Sequence, residues 1–216
     1  MFHECDNTDV VAQAIASAIA ECYAQNRAVL VLLAGGSATK LYKPLRSLVD
    51  VQAWQNVTLT LTDERYGIPG HADANWPTLA SAFDDCGAKL LPVLHGKSPA
   101  ETALDWQHAL HQSAENAQVL ALLGVGTDSH TSGIKPHSSA ATEQTDWVAS
   151  YQGDDFARIT TTPAFFPYID NAFVYLEGAD KRPIFEALQN SGDATLQPMQ
   201  NIKLCKHFDV FYNVTR

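Results

Sequence analysis

The stretch 117-AQVLALLGVGTDSH-130 ends an apolar run in two glycines and a D-x-H triplet. It reads as a buried strand that delivers polar side chains to a rim. Whether that rim is a catalytic site, a metal site or a hydrogen-bonded loop end depends on what the rest of the chain brings to it. A second run, AVLVLLA at 28–34, is nearly all apolar and too short for a buried helix, so it is a strand covered on both faces. It is followed by GGSATK and a segment over 39–48 of amphipathic pattern, in which Pro44 is an awkward guest. NVTLTLT at 56–62 alternates Val57, Leu59 and Leu61 with threonines, and ends in the turn-rich loop DERYGIPG.

Outward from these strands the pattern turns helical. Asn7 or Thr8 caps a helix whose apolar positions Val11, Ile15, Ala18, Ile19 and Cys22 recur at helical spacing. A helix is expected over 73–83, followed by a weak strand, LLPVL. Another helix, over 98–114, opens with Ser98, Pro99 and Glu101, a good N-terminal set. The segment 132–155 is polar and aperiodic, and reads as a long functional loop with room for one helical turn. ARITTT and AFVYLEG are two further strands, 181–189 is a helix, and HFDVFYNV has the look of an edge strand.

Strands alternating with helices define an α/β fold: a doubly wound, mostly parallel sheet with helices on both faces. No repeat and no Pro/Ser/Gly linker divides the chain, so residues 1–216 are expected to form a single domain. Ligands of such sheets sit at the carboxyl ends of the strands. AGGS, TDER and GVGTDSH each follow a strand, so they are expected to converge on one rim.

Composition narrows the function classes. The 216 residues carry a formal net charge of −10, with 46% hydrophobic and 18% charged residues. An ordinary globular mix with that charge argues against nucleic acid or an anionic membrane as partner. It leaves an anionic small molecule open, because a pocket can be positive on an acidic protein. Cys5, Cys22, Cys86 and Cys205 form no C-x-x-C and read as free thiols in a reducing compartment. Acidic residues precede the first apolar portion, unlike the basic start of a secretory signal, and no apolar run reaches membrane-span length. The expected location is the cytoplasm.

Five groups of residues are candidates to bear chemistry. Gly35, Gly36 and Ser37 lie between a strand and a helix, where glycines let backbone N–H groups approach an anion; the bland alternative is a tight turn. Asp63-Glu64-Arg65 is either surface ion pairing or part of the rim. Asp128 and His130 offer an imidazole with a carboxylate to orient it, a loop histidine bonded to backbone, or, with His137, a metal site. His108 and His111 are i and i+3 on a helix, a spacing that could bind metal but reads first as a wet face. Arg158 and Lys181 are single cations near strand ends that, with GGS, would supply a positive lining.

The ordered set GGS-[AT], D-E-R, an Asn shortly after, G-x-G-x-D-x-H-T, R-I-T and G-x-x-K resembles the 6-phosphogluconolactonases. Their superfamily is shared with glucosamine-6-phosphate isomerase/deaminase. The resemblance runs from about 28 to 188 and rests on the order of six motifs rather than on any one. It implies the doubly wound fold already read. It makes His130 the base with Asp128 beside it, puts Arg65 near the reacting end, and assigns substrate phosphate to Gly36, Ser37, Arg158 and Lys181. Asn75 falls where the family has S-N-Y. The deaminase branch favours an acidic residue five positions after this histidine and an aromatic at the end of D-E-[YW]; here those are Lys135 and Arg65. Ser129 replaces the glycine of the lactonase D-G-H, at an expected cost of about 1–2 kcal/mol if that residue is left-handed.

The resemblance therefore implies hydrolysis of 6-phospho-D-glucono-1,5-lactone to 6-phosphogluconate, a step of the pentose phosphate pathway. It calls for no metal or organic cofactor and for a phosphosugar as the only partner, in a monomer or homodimer. Two other readings stand beside it. One is an aminosugar-phosphate isomerase or deaminase with Asp63 as base; the other is a non-catalytic sugar-phosphate-binding homologue.

Overall fold

The computed structural model describes residues 1–214. In chain order the strands are β1 (Phe2–Glu4), β2 (Ala28–Leu33), β3 (Val57–Leu61), β4 (Asp63–Arg65), β5 (Lys89–Leu90), β6 (Ala117–Leu123), β7 (Val148–Gln152), β8 (Ala157–Thr161), β9 (Asn171–Glu177) and β10 (His207–Asn213). The α-helices are α1 (Asp9–Ala24), α2 (Tyr42–Leu48), α3 (Trp76–Phe83), α4 (Pro99–Ala114) and α5 (Arg182–Gln189). Seven strands form one sheet in the order β1-β10-β9-β6-β2-β3-β5, every pairing parallel.

The apolar runs explain the sheet's centre. β2 is buried at every position from Val29 to Leu33, and β6 from Val119 to Leu123. Consecutive burial on a strand whose side chains alternate requires cover on both faces. α1 supplies part of it through Val11, Ile15 and Ile19, and α4 through Ala103, Trp106 and Leu110. Trp106 donates from Nε1 to Thr60 Oγ1 on β3 at 3.3 Å, so this large ring is buried without an orphaned N–H. α4 starts with a capping box: Ser98 Oγ accepts from Glu101 N–H, and the Glu101 carboxylate accepts from Ser98 N–H. Pro44 fits α2 because it stands in the first turn, where an amide has no partner within the helix.

The chain order places the site. From β2 the chain moves outward to β3 and β5; from β6 it moves the other way, to β9 and β10. The loops leaving β2 and β6 therefore diverge, opening a crevice at the switch point of the sheet.

Four expectations change. HFDVFYNV is not an edge strand: β1 pairs beyond it, with Phe2 opposite Val210. Three residues of β1 carry no readable period, which is why the true edge was invisible. Of the weak strand LLPVL only Leu90 is formed, in the two-residue β5 with Lys89, since Pro92 cannot donate to a ladder. The DER segment is a strand rather than a loop, and 132–155 contains β7 besides its single helical turn, Ser139–Thr142. β4, β8 and β7 make a separate three-stranded antiparallel sheet. Polar segments this short become strands through pairing, not through intrinsic pattern. The four cysteines are free and buried. No helix among the described residues is long and apolar enough to cross a membrane.

Candidate active site

The switch-point crevice widens into a cavity of about 510 Å³. After β2 it is lined by Gly35, Gly36 and Ser37; after β3 by Asp63 and Arg65; at the start of α3 by Asn75. The loop after β6 contributes Asp128 and His130, β8 contributes Arg158, and the turn after β9 contributes Lys181. The ten residues the sequence marked as catalytic or substrate-binding all line this cavity, whereas His108, His111 and His137 do not. The size is that of a small-molecule pocket.

Each segment has a local reason for its shape. Gly36 has φ +60°, a left-handed backbone that glycine adopts without penalty, and it opens the short 3-10 helix Gly36–Leu41. The expected α-helical N-terminus is thus a tighter turn that runs on into α2. The hydroxyl of Tyr42 donates to Ala34 O at 2.8 Å and ties the turn to the end of β2.

The triplet in β4 divides its labour by alternation. Asp63 and Arg65 face the cavity. Glu64 is fully buried, and its carboxylate accepts from the N–H groups of Arg65 (2.8 Å), Asn75 (2.7 Å) and Trp76 (2.8 Å). It satisfies the first amides of α3, an anchoring role rather than a chemical one. Burial pushes its pKa up, and the three amide donors oppose that. Burial also raises the pKa of Asp63, against the pull of Arg158, Thr62, His130 and Arg65.

Register brings two guanidiniums together. Arg65 pairs directly with Arg158 across β4 and β8, so the two side chains share one face. Like charges opposite one another are unfavourable unless something offsets them. Here Asp155 accepts from Arg158 Nη2 at 2.8 and 2.7 Å, and the Phe156 ring lies 4.9 Å from Arg65 Cζ and 5.6 Å from Arg158 Cζ. Arg158 Nε and Ser132 Oγ are buried with no hydrogen-bond partner in the protein, and both residues line the cavity. Lys181 donates from Nζ to Val125 O at 2.7 Å, and burial lowers its pKa.

The loop after β6 is a three-residue hairpin. Ser129 N–H donates to Gly126 O at 3.0 Å and Gly126 N–H to His130 O at 2.9 Å. Such loops end in a left-handed residue, and Ser129 has φ +70°, so it occupies the conformation for which glycine is suited. Ser129 is not part of the cavity lining, however, so its side chain does not intrude there. Within the hairpin Asp128 Oδ1 lies 2.5 Å from His130 Nδ1 and accepts from His130 N–H at 3.3 Å. Lys135 Nζ reaches Asp128 Oδ2 at 2.9 Å. Burial raises the Asp128 pKa, but Lys135 and His130 outweigh it and hold this carboxyl well below the usual range.

Three glycines seat the functional side chains. A Cβ on Gly35 would lie 2.4 Å from Asn75 Oδ1, one on Gly126 2.1 Å from His130 Nδ1, and one on Gly133 2.9 Å from Asp63 Oδ2. Any side chain at these positions displaces the group beside it.

Lys135, Asp155, Ser132 and Gly133 line the cavity without having been singled out as site residues. The only sequence signal for Asp155 was its place three residues before Arg158. With Asp155 counted, four cations (Arg65, Lys135, Arg158, Lys181) face three carboxylates (Asp63, Asp128, Asp155), so the lining is net positive on a chain of charge −10. The metal alternative loses its ligand set: among the described residues no three of His, Cys, Asp and Glu gather as one would require. His111 instead stacks on Trp147 at 3.6 Å between ring centroids.

Fold and site together define an α/β protein with a cationic cavity at the switch point of a parallel sheet and a carboxylate-oriented imidazole on its wall. The chain belongs to the family described as glucosamine-6-phosphate isomerases/6-phosphogluconolactonase, whose model matches residues 5–211. It is 30% identical over 190 residues to the 6-phosphogluconolactonase of Mesorhizobium japonicum, covering 82% of this chain and 76% of that one. It is 25% identical over 213 residues to that of Rhizobium meliloti, covering 92% and 91%. The crystal structure of 6-phosphogluconolactonase from Thermotoga maritima superposes with a TM-score of 0.85 at 17% identity, over 98% of each chain, and so shares the fold.

Proposed function

We propose that this chain hydrolyses 6-phospho-D-glucono-1,5-lactone to 6-phosphogluconate, with His130 as general base. Its family and the names of its curated relatives support the substrate and reaction class. The observation that carries the chemistry is the 2.5 Å contact of Asp128 with His130 Nδ1 on the wall of a net-positive cavity. With Nδ1 bonded to a carboxylate, the imidazole is held in the tautomer that leaves Nε2 free to accept a proton.

Gly36, Ser37, Arg158 and Lys181 hold the phosphate as a handle. Nε2 of His130 takes a proton from water as the water oxygen bonds to the lactone carbonyl carbon. The tetrahedral intermediate then collapses, the bond from carbon to ring oxygen breaks, and the imidazolium returns its proton to that oxygen. The acid so formed ionises in solution. Asp128 stabilises the transient imidazolium, and Arg65, beside Arg158, steadies charge on the carbonyl oxygen. Proton transfer contributes about 10²–10⁴-fold, and positioning adds to it.

The test is hydrolysis of freshly generated lactone, corrected for its spontaneous opening, by the parent and by His130→Ala. Loss of nearly all turnover with inorganic phosphate binding retained is the expected result; equal turnover in the variant removes His130 from the chemistry. Ammonia release from glucosamine 6-phosphate would instead favour the deaminase branch.

A further inference from the structure

Lys135 stands on the wall where two cavities meet. It lines the candidate active site and also a neighbouring open groove with Asp128, His137 and Tyr151. Its position is fixed from several sides. Tyr151 Oη accepts from Lys135 N–H at 3.4 Å and donates to Gly133 O at 2.5 Å, while Ser138 Oγ donates to Lys135 O at 2.7 Å. These bonds stitch the 133–138 backbone to β7. The ammonium end is then held on Asp128 Oδ2 at 2.9 Å, leaving Oδ1 to His130.

The carboxylate thus serves two cations at once, one permanent and one conditional. Lys135 brings an ammonium to Asp128 Oδ2, whereas His130 is a cation only when protonated. Two consequences follow from electrostatics alone. Sharing Asp128 weakens what the carboxylate offers an imidazolium, and a fixed positive charge nearby further disfavours the protonated ring. The other charged groups around His130 do not duplicate this arrangement. Asp63 feels the His130 ring and shares the cavity lining with Asp155, which is bonded to Arg158, while Lys181 is bonded to Val125 O and Arg65 to Asp73 O. None of these makes a hydrogen bond to Asp128.

We propose that Lys135 is a positioning residue for the Asp128–His130 pair: its ammonium fixes the carboxylate so that Oδ1 faces Nδ1, and its charge keeps the imidazole neutral, and so available as base, at lower pH. This inference rests on His130 being the base. It separates two roles of the same carboxylate, holding the ring and stabilising its charged form, and makes Lys135 the group that sets the balance between them.

The experiment is the pH dependence of kcat/KM for lactone hydrolysis in the parent, Lys135→Met and Lys135→Arg, with His130→Ala alongside. In Lys135→Met the acid limb should move up by about 0.5–1 pH unit, with a loss of about 3–10-fold on the plateau from a less fixed carboxylate. Lys135→Arg should restore the parent limb, because the charge is kept. An acid limb unmoved in Lys135→Met, whatever the plateau, overturns the proposal, since a merely structural loss lowers the amplitude without displacing the limb. A parent-like His130→Ala profile instead overturns the underlying reading, so the two failures are told apart. If Lys135→Met fails to fold, Lys135→Gln is read in its place against the same limb.

Discussion

Gly126 and His130 are in mutual contact at the turn of one hairpin: the Gly126 N–H donates to His130 O at 2.9 Å, and a Cβ on residue 126 would lie 2.1 Å from His130 Nδ1. The same Cβ would lie 2.5 Å from Asp128 Oδ1. The glycine thus leaves the space in which the carboxylate and the imidazole meet.

Gly126→Ala is therefore expected to push the ring off the carboxylate. A fall in kcat of at least about 100-fold, worth about 2.7 kcal/mol in the transition state, is the expected outcome. Initial rates and a thermal melt on the same preparation check it. Near-parent turnover in a folded variant would mean that the Asp128–His130 contact is dispensable.

Asp63 provides a pH test that does not rely on turnover alone. Its folded pKa is raised by burial above the unfolded value of about 3.9. The folded state therefore holds this proton more tightly than the unfolded chain does. That preference supports the fold below about pH 4 and is lost as pH climbs through the folded value. Asp63→Asn cannot ionise and keeps the shape that fits against Gly133. Its Tm relative to the parent should rise from pH 4 towards pH 8; a flat difference counts against a buried, strained carboxylate. Turnover should fall less than in His130→Ala, whereas an Asp63 base predicts the reverse.

The lining makes a kinetic prediction about binding. Lys181→Met removes a cation whose Nζ lies 2.7 Å from Val125 O at the cavity wall. If this charge holds phosphate, KM rises by about 10–100-fold, the value of one charge-assisted hydrogen bond, while kcat moves little. Inorganic phosphate should lose potency as a competitive inhibitor to a similar degree. A fall in kcat at constant KM would put Lys181 at the reacting end.

Much of this site was readable before any coordinates. The apolar runs of β2, β3 and β6 are buried strands, and parallel-sheet geometry alone carries the segments behind them to one rim. What could not be read depends on pairing and on backbone sign. The Arg65–Arg158 juxtaposition is a matter of register between two short polar strands, which no periodicity announces. Lys135 reaches back seven residues to Asp128 because the loop between them turns through left-handed residues, Ser129 at φ +70° and Ser132 at φ +50°. Neither is a glycine, so the usual sequence mark of such a turn is missing. The anchoring role of Glu64 was hidden too, since a carboxylate beside an arginine suggests an ion pair rather than three backbone amides.

Ser129 itself yields the last prediction. A serine at φ +70° carries a steric cost of about 1–2 kcal/mol, and a glycine there would remove it. The gain is offset by the larger freedom that glycine has in the unfolded chain, about 0.5–1 kcal/mol. Ser129→Gly should therefore stabilise the fold by up to about 1.5 kcal/mol, read as a small upward shift in the denaturant midpoint. Its hairpin bonds are all made by backbone atoms, and Met199 N–H donates to Ser129 O at 3.0 Å, so the loop path should be preserved. With the side chain outside the cavity lining, kcat/KM should stay within about threefold of the parent, less than about 0.7 kcal/mol. A gain in turnover of tenfold or more would mean that the serine restrains the Asp128–His130 pair, and that the strain at residue 129 is felt in the chemistry as well as in the fold.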